Sequence, residues 1–143
     1  MADARDVGAQ FFDAFNAHDE ERMRELTAEG AVLEGPGEVR LEGRDAVTEY
    51  GMNWLNAFPD ARLEVTNELV AGDWVVQEFT FNGTHQGTLR SPAGEIPATN
   101  RDVHGRAVQI LRIEGDAVAD THLYFDQVEL MTQLGLMPEP ATA

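Results

Sequence analysis

Cysteine is absent from the 143 residues, which excludes disulfides, thiolate nucleophiles and sulfur-ligated metals. Basic residues are scarce: ten Lys plus Arg stand against 26 Asp plus Glu, for a formal charge of −16. A surface of that sign repels phosphate backbones and anionic lipid headgroups, so neither nucleic acid nor a membrane is an expected partner. It favours a neutral or cationic small ligand over a polyanion. No hydrophobic run reaches the length of a membrane span, and the opening MADARDVGAQ has no apolar core of a signal peptide; a cytoplasmic location is the expectation. His-x-x-x-His, Glu-x-x-His and clustered carboxylates are missing, as are a glycine-rich phosphate loop after a strand and a Gly-x-Ser-x-Gly elbow. Neither a metal nor a cofactor is expected.

What is present suits one globular domain over 1–143. The apolar fraction is 43% and the charged fraction 25%, enough for a hydrophobic core without covalent staples. The segment Gly105–Gly135 is the most constraining. Two strands in GRAVQILRIEG and DAVADTHLYF flank the turn Glu114-Gly115-Asp116, where glycine can take positive φ. Asp126 then stands at a helix N-cap position with Glu129 three residues on, an Asp-x-x-Glu variant of the capping box.

Upstream, Val7, Phe11, Ala14 and Phe15, widened by Phe12, predict an amphipathic helix over about 4–18. Asp19 caps a shorter helix through Leu26 that ends by Gly30, with Glu20 and Glu21 in its first turn. Residues 31–34 and 38–41 are short strand candidates around Gly35-Pro36-Gly37. A third helix runs from Arg44 to Ala57, stopped by Pro59. Strands over 63–70 and 74–81 follow, joined by Ala71-Gly72-Asp73. The stretch 84–103 reads as an ordered flap, and 136–143 as a frayed tail. Helices first and a meander last predict an α+β fold with helices packed on one face of a curved sheet, enclosing a conical space in which an apolar pocket would lie.

This order, with FFDAFNAHD in the first helix, GDWVVQEFTFNGTHQG and VQILRIEGDAV in the strands and FDQVELMTQLG at the end, resembles the nuclear transport factor two-like superfamily. Within it the chain is similar to the SnoaL-like polyketide cyclases, also called ester cyclases, over roughly 7–136. The resemblance implies a cone-shaped, curved antiparallel sheet with the N-terminal helices on its concave face. It also implies a small, mostly apolar molecule as partner, a homodimer through the convex face, and cofactor-free ring closure. The family's acid/base aspartate on the last strand corresponds to Leu123 here, and its assisting histidine on the neighbouring strand to Gln109. Both replacements remove a titratable group, and leucine can neither take nor give a proton.

On the same register Leu123 and Phe125 would face the cavity together with Gln109 and Leu111, placing His122 and Tyr124 on the convex face. Gln109 could orient a carbonyl or enol by hydrogen bonding, or be a satisfied buried amide. His85, in Gly83-Thr84-His85-Gln86-Gly87, is a candidate general base at the cavity mouth or a structural residue of the flap. His104, at the flap's other end, is a candidate to flank the same substrate. Tyr50, Trp54 and Phe58 are core aromatics that can also wall a pocket. Glu78 could face either way, outward being the favoured reading. Asp126 is read as a cap rather than a catalytic acid. Two functions stay open: proton-transfer catalysis such as cyclisation or isomerisation, and noncatalytic binding in the same pocket.

Overall fold

The computed structural model describes residues 3–137, so all but Leu136 and Met137 of the tail expected over 136–143 lies outside the described residues. Its first helices form where the caps dictate. Asp3 and Asp19 accept hydrogen bonds from Asp6 N and Arg22 N and start α1 (Ala4–Asn16) and α2 (Glu20–Glu25). The apolar stripe of α1 buries Val7, Phe12, Ala14 and Phe15, as the helical spacing requires. Helix α3 (Arg44–Ala57) follows the short hairpin β1 (Thr27–Gly35) and β2 (Val39–Glu42). Strands β3 (Arg62–Ala71) and β4 (Trp74–Thr84) turn through Gly72-Asp73, and β7 (Asp102–Glu114) and β8 (Ala117–Phe125) through Gly115-Asp116. Both turn glycines adopt the positive φ that a two-residue hairpin needs, +59° and +62°. Helix α4 (Gln127–Gln133) is capped by Asp126, whose Oδ1 accepts from Glu129 N at 3.1 Å.

Two elements differ from the sequence reading. Strand β1 starts at Thr27 rather than 31, because Val118 N donates to Leu26 O and Thr27 pairs with Val118; that partner is ninety residues away and leaves no local signal. The flap contains its own small hairpin, β5 (Leu89–Ser91) and β6 (Gly94–Ile96).

The main sheet has the order β2-β1-β8-β7-β4-β3. All its pairings are antiparallel except β1 with β8, which is parallel. Consecutive strands on a tight turn must run antiparallel, whereas β1 and β8 are distant in sequence and free of that constraint. Register shifts between Val65 and Asn67 in β3, between Arg112 and Ile113 in β7 and between Thr27 and Val32 in β1 bend the sheet. Helices α1 and α3 pack into the resulting concavity, so the fold is the expected α+β cone. Glu78 points outward and is exposed, held by Asn67 Nδ2 at 3.0 Å, while Gln77 and Phe79 beside it are buried. Among the described residues no helix is long and apolar enough to cross a membrane.

Candidate functional site

One row of residues runs across the concave floor. Leu123 of β8 is paired with Gln109 of β7, which is paired in turn with Gln77 of β4. Leu123 and Gln109 both line a cavity of about 130 Å³ between the sheet, α1, α3 and α4. Thr121 and Phe125 of β8 line the same void beside Leu123. Gln109 Nε2 donates to Gln77 Oε1 at 3.1 Å, which fixes the amide beside the leucine. Gln77 is fully buried and its own Nε2 has no partner.

The walls are aromatic. Trp54 lies at the centre of a cluster, stacked on Phe58 and edge-on to Tyr50, Phe81 and Phe125 at centroid distances of 5.4–6.3 Å. Phe11, Phe12 and Phe15 of α1 close the other side. Of the expected binding residues, Tyr50, Trp54, Leu123 and Phe125 reach the cavity. Phe58 and Leu111 are not among the lining residues. Both are fully buried, Phe58 as the support on which the Trp54 ring rests.

Neither histidine candidate lies at the cavity. His85 is fully buried against Phe58, its ring 5.2 Å from the phenyl. Its Nδ1 accepts from Thr99 N at 3.2 Å, so in the neutral ring the proton sits on Nε2. Burial holds its pKa below the usual imidazole value, with the Gly87 backbone opposing in smaller measure. A proton-bearing Nε2 cannot serve as a base, and His85 is not among the residues that line the cavity; through His85 N with Arg101 O and Asn100 N with His85 O it ties the start of the flap to its end. His104 is exposed on the opposite face of β7 from Gln109, with Nδ1 2.6 Å from Asn82 Oδ1. Its backbone, rather than its ring, touches the site: Gln133 of α4 accepts from His104 N and donates to His104 O, clipping that helix along the cavity mouth.

Charged groups gather only at that mouth, where Arg106, Asp126 and Glu129 contribute. Arg106, which strand alternation from Gln109 puts on the convex side of β7, is nonetheless among the lining residues. The remaining titratable group of the lining is Tyr50, on α3. Burial pushes its hydroxyl pKa up, with the neighbouring Trp54 indole opposing in smaller measure, so Tyr50 is a neutral donor at physiological pH. Sequence reasoning treated Tyr50 as wall only; its spacing of four residues from Trp54 on one helical face was the available signal. Among the described residues no group of three or more His, Asp or Glu is placed to hold a metal ion.

A curved sheet with helices in its concavity and a mostly apolar chamber on that side defines a protein of the nuclear transport factor two-like type. The SnoaL-like polyketide cyclase family model matches residues 6–134, and the chain belongs to that family. No curated protein matches the sequence. Several solved structures do. A protein from Jannaschia sp. CCS1, provisionally called a SnoaL-like polyketide cyclase, superposes with a TM-score of 0.83 at 20% identity over 94% of this chain and 93% of its own. IdmH of Streptomyces antibioticus, provisionally a polyketide cyclase, gives 0.78 at 24% identity over 94% and 99%. AclR of Streptomyces galilaeus, provisionally a hydroxylase, gives 0.80 at 21% identity over 95% and 87%. At these identities the likeness establishes the fold, and the different names show how varied the chemistry on it is.

Proposed function

We propose that this protein takes a small, neutral, mostly apolar cyclic carbonyl compound into the chamber and promotes cofactor-free proton transfer on it, as in cyclisation or isomerisation. The observation that carries this reading is the floor row: an amide, Gln109, held in register beside Leu123 in a chamber otherwise walled by aromatic rings. A buried neutral amide orients a ketone or enol oxygen without the desolvation cost that an ionised group would bring. The volume supports a one-ring ligand, or one ring of a longer molecule whose remainder leaves through the mouth, since an apolar cavity of roughly 150 Å³ accommodates a benzene. None of the ten basic residues is a lysine, so a lysine Schiff base is outside this chain's chemistry.

The second reading, a noncatalytic binding protein, is favoured by one feature: no carboxylate or imidazole lies among the inner lining, and acids occur only at the rim. The two separate in one experiment. With 1-indanone in D₂O, turnover predicts α-proton exchange faster than in buffer, followed by proton NMR, and slowed by Gln109→Ala. Binding without faster exchange selects the second reading.

A homodimer through the convex sheet belongs to the same proposal. Leu69, Trp74 and Tyr124 on that face are 61%, 38% and 58% exposed, beside half-buried Val76, Val108 and Ile110; an apolar patch of this kind commonly marks an interface. A cytoplasmic location is likewise proposed, from the acidic, cysteine-free composition.

A further inference from the structure

Tyr50 and Trp54 lie four residues apart on one face of α3, so both side chains enter the chamber from the same side. Their rings meet edge to face with centroids 6.3 Å apart. The Trp54 indole Nε1–H is buried and makes no well-formed hydrogen bond among the described residues, although it lies near enough to the Tyr50 hydroxyl to oppose the rise in its pKa. An indole nitrogen can only donate, so this hydrogen is an unmet demand for a lone pair. Leaving such a donor without a good acceptor is costly, and a ligand oxygen would recover that cost.

The Tyr50 hydroxyl sits over Gly35 of β1: a Cβ there would stand 3.4 Å from the phenol oxygen. Leu33 pairs with Thr121 in the parallel β1–β8 ladder, and two residues further along, Gly35 comes level with Leu123. The floor therefore places the phenol at one side of Leu123 and the Gln109 amide at the other.

We propose that Tyr50 and Trp54 form a two-donor subsite that receives the carbonyl oxygen of the ligand, and that this pair selects a ketone over the hydrocarbon of the same shape. The proposal rests on reading the chamber as a site for a neutral cyclic carbonyl compound. Two neutral donors aimed at one oxygen stabilise it most when it gains negative character, as in an enol or enolate. They do so without a buried charge of their own.

The test uses two probes of one skeleton, 1-indanone and indane. Affinities are measured by titration of the full chain, with the Trp54 indole N–H followed by ¹⁵N–¹H NMR and assigned with the help of Trp74→Phe. The ketone is expected to bind about five- to tenfold tighter than indane, the weight of two hydrogen bonds to a neutral oxygen at the low end of their range. The indole proton moves downfield with 1-indanone and not with indane. In Tyr50→Phe the preference falls to about twofold or less while indane affinity stays unchanged, which also shows that the variant is folded. Equal binding of both probes to the wild type leaves the chamber reading intact and overturns the subsite. A preference that survives Tyr50→Phe with an unmoved indole proton, or is lost only in Gln109→Ala, overturns it too. Failure of both probes to bind removes the chamber reading and this inference together.

Discussion

Gln109 donates from Nε2 to Gln77 Oε1, and both side chains are buried. Replacing Gln109 alone by leucine strips the Gln77 side chain of its one hydrogen-bond partner among the described residues, so Gln109→Leu should cost about 1–3 kcal/mol in urea unfolding. The double replacement Gln77→Leu/Gln109→Leu removes both members of the pair and should cost less than the single change. A double change costing the sum of the two singles contradicts the pairing. His85 gives a second prediction at this scale. Burial lowers its folded pKa, so the unfolded chain binds the proton more readily, and the residue's contribution is present above the unfolded value of about 6.5 and lost as pH falls through the folded one. His85→Asn keeps an acceptor near Thr99 N–H but does not titrate. Its stability should fall less steeply than the wild type's between pH 6.5 and 5, measured by thermal unfolding at several pH values; parallel curves would refute a buried neutral imidazole. Orientation separates what the sequence revealed from what it hid here. Gln109 and Leu123 were legible because strand alternation groups the residues of one face and the family resemblance says which face looks inward. His85 and His104 were not, because at a flap hinge the direction of a side chain depends on contacts such as Thr99 and Asn82, which no local pattern encodes.

At the scale of elements, the caps and turns were readable because their causes are local. Asp19, Asp126, Gly72-Asp73 and Gly115-Asp116 each do in the structure what their chemistry requires. The start of β1 and the parallel β1–β8 pairing were not, since both depend on a partner far along the chain. The flap is held by short-range geometry. Gln86 N and Gly87 N both donate to Ala57 O at 3.0 Å, and a Cβ at Gly87 would fall 2.1 Å from Asn56 O. That overlap is with backbone at the end of α3, which cannot swing aside as a side chain could. Gly87→Ala should therefore destabilise the protein by at least about 2 kcal/mol and raise hydrogen exchange in 84–101. Unchanged exchange there would show that the flap is not anchored through this contact. Helix α4 depends on one cap and one clip, Asp126 with Glu129 N and Gln133 with the His104 backbone. Moving it changes the mouth of the chamber rather than the floor.

For the whole molecule, charge and shape act together. The −16 balance keeps polyanions away, and curvature from the irregular strand registers leaves a void between layers that would otherwise close. On the other side of the sheet the exposed Leu69, Trp74 and Tyr124 call for cover. Leu69→Arg should shift a dimer to monomer in sedimentation velocity without lowering helix content, whereas a wild type that sediments as a monomer at micromolar concentration removes the convex-face interface. The account as a whole stands on a hollow interior with Leu123 and Gln109 turned toward it. Methyl-labelled leucine NMR during titration with indane tests this most directly, because an aromatic ring shifts only methyl groups close to it. The predicted result is saturable ring-current shifts at Leu123, Leu33 and Leu63, which line the chamber, with Leu69 on the outer face unmoved. Shifts confined to Leu69, or none at saturating indane, would contradict it.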